Sequence, residues 1–178
     1  AYLGDENLNA KLKINASDLI VLPGGIDPHV HVDQPSGDGV IMADNFQTAT
    51  KSAAAGGNTT ILPFAMQIKG QSLRKCVEDY HKKAQGNMYI DTSFHLIISD
   101  PTPQVLGQEL PALSKDGYTS FKVFMTYDDL VLNDKELIEV FDVAKQLKTL
   151  VMVHAEGYDS IKYLSDKFEK EGKTAPYY

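Results

Sequence analysis

Apolar and polar positions follow two interleaved rhythms along the chain. Short apolar runs that suit strands lie near 21–32, 58–65, 89–99, 120–126 and 150–156. Between them, residues 45–55, 72–85, 103–115 and 134–148 show the three-to-four-residue spacing of helices. In the last stretch Leu137, Val140, Phe141, Ala144 and Leu147 share one face, and Asp134 is placed to cap it. A final helix is predicted over 159–170, with Gly172 beyond its end. Five β/α units of near-equal length predict an α/β fold, a parallel sheet wrapped by helices. Both a doubly wound sheet and a closed barrel accommodate that alternation.

The strand ends carry the candidate chemistry. His29-Val-His31 follows the apolar run from Leu19, and side chains at i and i+2 of an extended strand share a face. Both imidazoles can therefore reach one metal ion; the lesser alternative is a histidine pair that is merely solvent-exposed or structural. Asp33, two residues on, falls on the same face and is a candidate to orient a histidine from behind, not a ligand. In Ser120-Phe-Lys-Val-Phe-Met-Thr-Tyr127, Phe121, Val123 and Met125 alternate with Ser120, Lys122 and Phe124. An ammonium in such a run loses hydration and needs a partner or neutralisation. Lys122 either snorkels to the strand end or meets a carboxylate, or it is neutral and has taken up carbon dioxide as a carbamate, an anion with two oxygens suited to bridging two cations. Leu150-Val-Met-Val-His154 is another apolar strand ending in histidine. In chain order, these features form a metal-site constellation at successive strand ends, which favours the (β/α)8 barrel of the TIM type.

Composition narrows the classes. Hydrophobic content of 43% and charged content of 23% over 178 residues suit one globular core. A net charge of -7 argues against nucleic acid or an anionic membrane surface as a partner. No apolar stretch approaches the roughly 20 residues that span a bilayer, and the first residues lack a basic-then-apolar leader pattern. Cys76 is the one cysteine, so no internal disulfide is possible, which fits a reducing cytoplasm. Its helical setting reads as packing. His95, in mid-strand, reads as a hydrogen-bonded core histidine, and His81 as exposed on a polar helix. Gly24-Gly25 and Gly56-Gly57 precede no phosphate-binding pattern and read as turn and close-packing glycines.

Pro23-Gly-Gly-Ile-Asp-Pro-His-Val-His-Val-Asp33, Ala54-Ala-Gly-Gly-Asn-Thr-Thr60, Phe121-Lys-Val-Phe-Met125 and Val151-Met-Val-His-Ala-Glu156 together resemble the dihydropyrimidinases and D-hydantoinases, which are cyclic amidohydrolases. The resemblance runs from about Asp18 to the C-terminus. It implies two zinc ions, with His29 and His31 on one, His154 on the other, and carboxylated Lys122 bridging them. It implies that Tyr127 holds the substrate carbonyl, where the alternative is a barrel-rim aromatic. It also implies a homotetramer that opens a small cyclic ureide or imide. A further histidine and an aspartate that acts as general base belong to later strands of the family's barrel. About five of eight units are expected over 18–178, and residues 1–17 resemble the end of a small β-sandwich domain. The 178 residues alone are therefore expected to be inactive. Allantoinases and dihydroorotases share the metal pattern but carry an arginine after the histidine pair, where this chain has Val32-Asp-Gln-Pro-Ser36. A non-enzymatic assembly relative would have lost ligands that are intact here.

Overall fold

Every apolar run in the pattern must bury at least one face, and parallel strands do so by returning through a helix each time. The structure, a computed structural model, describes residues 9–37 and 39–176. Its elements in chain order are β1 (Gly25–Val30), α1 (Phe46–Ala55), β2 (Asn58–Met66), α2 (Leu73–Ala84), β3 (Asp91–Thr92), β4 (His95–Ile97), a π-helical turn (Val105–Glu109) that runs into α3 (Leu110–Lys115), β5 (Ser120–Phe124), α4 (Asp134–Leu147), β6 (Leu150–His154) and α5 (Tyr158–Lys170). The strands pair in parallel in the order β1-β2-β4-β5-β6, with β3 beside β2.

That order decides between the two architectures. A doubly wound sheet reverses its strand order at a switch point, whereas here neighbours follow the chain without reversal. The two faces differ as well. Ile61, Ala65, Leu96, Phe121 and Val123 pack against helical Phe46, Leu73, Leu110 and Val140 in one large core. The opposite face carries a small cluster of Phe64, Ile97 and Phe124, flanked by Met66, Leu130 and Met152, with no helical residue. Helices on one side and a narrow inner layer on the other make a parallel half-barrel. No helix among the described residues is long and apolar enough to cross a membrane.

Several expectations need adjustment. The first strand begins at Gly25, not near 21, because Leu19, Ile20, Val21 and Leu22 are 67, 87, 53 and 76% exposed with nothing packed over them among the described residues. The apolar run thus does not form the buried body of β1. What seats β1 is close approach: a Cβ on Gly24 would lie 2.1 Å from the Thr59 side chain, and one on Gly25 2.2 Å from Asn58 Oδ1. The third strand splits in two because Phe94 turns into the helix layer, edge-on to Phe46 and Tyr80. The cap of α4 is Asn133, not Asp134: its side chain accepts from Glu136 N at 3.0 Å while Glu136 accepts from Asn133 N at 2.8 Å, a reciprocal pair that Asp134, one residue late, cannot make. Phe141 and Met125 reach solvent instead of the core. Of residues 1–17, 1–8 lie outside the described residues, and 9–17 carry no strand.

One buried carboxylate ties the layer together. Glu109 Oε2 accepts from the backbone amides of Leu73 (2.6 Å) and Arg74 (3.2 Å), and its Oε1 accepts from Gln104 Nε2 at 2.9 Å. It therefore sits on the free amides and positive dipole end of α2. Burial pushes its pKa up, but hydrogen bonds from Ser72, Arg74, Gln104 and Leu73 outweigh that and hold it below the usual glutamate value. A depressed carboxylate stabilises the fold above its unfolded pKa and stops doing so as pH falls through the folded one. Glu109→Ala should destabilise the full-length chain by about 2 kcal/mol at neutral pH in urea unfolding. The difference from wild type should shrink in acid.

Candidate active site

The inner face of the half-barrel gathers the chemistry because each strand's other face is committed to the helices. Phe121 and Val123 point outward into the main core, so Lys122 and Phe124 point inward. In β6, Val151 and Val153 pack outward, leaving His154 inward beside its register partner Phe124. At its end β1 slips register between Asp27 and Val30, and His31 lies one residue past the strand. Both its histidines nevertheless reach the same partner.

That partner is Phe64 of β2, fully buried in mid-barrel. The His29 ring meets it edge-on at 4.7 Å between centroids, and the His31 ring stacks on it at 4.9 Å. The two imidazoles are 5.6 Å apart. Across the sheet the His154 ring stacks on Phe124 at 5.6 Å, with Tyr127 edge-on to it at 5.1 Å. Lys122 stands between the groups, its Nζ 6.0 Å from the Phe64 centroid and 5.2 Å from that of Phe124. The structure thus brings the predicted residues to one inner face as two histidine groups with the lysine between them. Among the described residues, no three His, Cys, Asp or Glu side chains converge into a group that could hold a metal ion.

The electrostatics suit metal donors. Burial, then the nearby Lys122 charge, lowers the His29 pKa below 6.5 and keeps its imidazole neutral. The His31 Nδ1 lies 2.7 Å from Gln34 Oε1, and Gln34 Nε2 donates to the Phe64 carbonyl at 3.2 Å. His154 Nε2 meets Glu156 Oε2 at 2.9 Å, and among the described residues its Nδ1 makes no hydrogen bond. Lys122 is 8% exposed, and among the described residues it has aromatic faces for neighbours and no carboxylate. Burial lowers its pKa, favouring the neutral amine. Pairing of Lys122 with a carboxylate is not what the structure shows among the described residues. Three neutral-capable imidazoles and a desolvated amine fit zinc or a similar divalent ion.

Tyr127 is half exposed and holds a left-handed backbone, φ +72°, just past β5. Asp33 departs from its expected role. Its φ of +50° turns the chain off the strand line, and Lys83 Nζ binds its carbonyl at 2.6 Å and its carboxylate at 3.2 Å, so it does not back a histidine. Gln34 takes that place instead, a residue the strand periodicity could not point to because the chain has already turned. His95 is the hydrogen-bonded core histidine expected, bridging Ser120 Oγ at 2.5 Å and the Pro28 carbonyl at 2.7 Å. His81 is exposed and meets the Tyr118 hydroxyl. Burial pushes the Cys76 thiol up to about 12, which suits packing and not attack. A groove of about 610 Å³ between the ends of β5 and β6 is lined by Met125, Asn133, Glu136, Glu156 and Tyr158, to one side of Lys122 and the histidines.

A parallel half-barrel with its polar groups at the strand ends defines part of a (β/α)-barrel scaffold. Residues 20–177 match the model of the amidohydrolase family, and the chain belongs to that family. It is 47% identical over 167 residues to a D-hydantoinase of Geobacillus stearothermophilus, covering 93% of this chain and 35% of that protein. A dihydropyrimidinase of Rattus norvegicus is 35% identical over 175 residues, covering 97% of this chain and 33% of the relative. The crystal structure of a dihydropyrimidinase from Brevibacillus agri NCHU1002 superposes with a TM-score of 0.81 at 42% identity, covering 92% of this chain and 37% of that one. The chain spans about a third of the length of the curated relatives it matches.

The burial of Lys122 without a carboxylate makes an energetic prediction. In metal-free, carbon dioxide-free buffer, Lys122→Met should stabilise the full-length chain by about 1 kcal/mol, since an unpaired ammonium is removed from an apolar site. The lowered lysine pKa means that wild type gains stability as pH rises through the folded value towards 10.5. The advantage of the variant should therefore fade in alkali. Calorimetric unfolding at neutral and alkaline pH measures both.

Proposed function

We propose that this chain builds the first part of the active site of a metal-dependent cyclic amidohydrolase. The reaction is hydrolysis of the ring amide of dihydropyrimidines or 5-substituted hydantoins, which gives N-carbamoyl amino acids. The observation that carries the reading is Lys122: a buried lysine with no carboxylate beside it among the described residues, set between the His29/His31 pair and His154. The relatives named D-hydantoinase and dihydropyrimidinase support the choice of ring.

His29 and His31 would hold one zinc ion and His154 a second, with Lys122 as the bridging carbamate. The Lys122 amine attacks the carbon of carbon dioxide, a C–N bond forms, and the nitrogen releases a proton. The product is an anion that replaces a positive charge with a negative one between two cation sites. Zinc bound there supplies Lewis acidity and lowers the pKa of water towards neutrality. The histidines contribute lone pairs at fixed positions, His31 through Nε2 and His154 through Nδ1, because the opposite nitrogen of each ring is engaged. Phe64 and Phe124 shield the inner side of the site from water. Tyr127, edge-on to His154 at the mouth, donates its hydroxyl proton to the oxygen that gains charge as the ring carbonyl is attacked.

Two substitutions in the full-length enzyme test this. Lys122→Ala should remove bound metal and activity together, and a short carboxylic acid should restore part of both. Full metal content and turnover of dihydrouracil or hydantoin in that variant would end the carbamate reading. Tyr127→Phe should keep its metal and lose about a hundredfold in kcat. An unchanged rate would return Tyr127 to packing at the rim.

A further inference from the structure

We propose that Gln34 is the positioning residue that sets the ring tautomer of His31, and through it the metal affinity of the His29/His31 site. The inference rests on the metal-site reading above and extends it to a residue that neither strand periodicity nor the resemblance assigns.

The geometry fixes the direction of the hydrogen bonds. Gln34 Nε2 lies 3.2 Å from the Phe64 carbonyl, a group that can only accept, so the amide nitrogen must face it. Its Oε1 then faces His31 Nδ1 at 2.7 Å, and a carbonyl oxygen can only accept. His31 must therefore carry its proton on Nδ1 and keep a lone pair on Nε2. Rotating the amide would bring two acceptors together at Phe64 and lose that bond, so the orientation is set at the Phe64 carbonyl.

The local chain is built to place this amide. Asp33 turns left-handed at φ +50°, which folds Gln34 back beneath a histidine only three residues earlier. Lys83 of α2 clamps the turn through the Asp33 carbonyl at 2.6 Å, and the Gln34 backbone amide is held against Met42 Sδ at 3.2 Å. Pro35 restricts Gln34 to extended backbone. The amide thus links the strand that supplies the buried phenyl ring to the loop that supplies the ligand. Free imidazole in water favours the other tautomer, so loss of Gln34 would leave Nε2 protonated for much of the time, and binding would have to displace that proton.

The test uses full-length protein with two readouts. In metal-free protein, the ¹⁵N shifts of His31 report which nitrogen is protonated. Chelator competition then reports zinc affinity. Gln34→Leu should shift His31 towards the Nε2–H form and weaken zinc binding by about 10- to 100-fold, with the thermal midpoint little changed. Gln34→Glu keeps an acceptor for Nδ1–H, though it gives up the bond to the Phe64 carbonyl, and should retain the tautomer and bind zinc more tightly than Gln34→Leu. Gln34→Leu with an unchanged tautomer and affinity would overturn the proposal, as would equal losses in both variants. The tautomer is read without metal, so its failure is distinct from failure of the metal-site reading, which would show as wild-type protein that takes up no zinc.

Discussion

The contact on which the site depends is the packing of the inner face against the phenyl ring of Phe64. Fully buried in β2, this ring meets His29 and His31 from β1 and His95 from β4, and lies within reach of the Lys122 ammonium from β5. Strand pairing alone sets spacing along the sheet, but it does not tell side chains on a curved inner face how far to reach. A rigid ring in the middle does. Its carbonyl works too, because it orients the Gln34 amide that meets His31. Side chain and backbone of one residue therefore both bear on His31, the ring by stacking and the carbonyl through Gln34.

The helix-side core makes that arrangement affordable in stability. Phe121 and Val123 are fully buried, as are Leu96, Ile98, Leu110 and Val140. At about 1.5–3 kcal/mol per buried large apolar side chain, this layer outweighs the cost of one desolvated lysine on the other face. Strand alternation couples the two: packing Phe121 and Val123 into the helices leaves Lys122 no other side to occupy. Among the described residues the lysine is held inward by its neighbours, not by a carboxylate of its own.

Much of this was legible in the sequence, and the failures have physical causes. The five-fold strand–helix alternation, the two faces of β5 and the inward His154 follow from period-two and period-3.6 patterns, which are local. The choice of barrel over doubly wound sheet followed from the run of reactive strand ends and is carried by the strand order. The start of β1 was misplaced because Leu19 to Leu22 have the composition of a strand, whereas the position of β1 is set by the contact of Gly24 and Gly25 with Asn58 and Thr59, more than thirty residues away. The split at Phe94 likewise depends on Phe46 and Tyr80. Asp33 was given a role by extending strand geometry past the point where the chain turns. The polar Gln34 before Pro35 was the available signal for its replacement, but only the Phe64 carbonyl gives that amide a direction.

The two left-handed residues at strand exits, Asp33 and Tyr127, show how the site departs from an ideal barrel. An L-residue at positive φ costs on the order of 1 kcal/mol, and such backbone persists where surroundings over-determine it. The surroundings do so here. Lys83 grips Asp33 from α2, and the Tyr127 carbonyl accepts from Leu130 N at 2.9 Å and Val131 N at 2.8 Å. A glycine would adopt either turn more easily, yet it would deliver no hydroxyl beside His154 and no carboxylate for Lys83. The left-handed backbone brings the chain sharply off the strand so that a side chain at the turn or just after it meets a ring below: Tyr127 against His154, Gln34 against His31. Regular strands can carry ligands to the rim of the barrel; only an abrupt turn there can bend a second residue back to meet them.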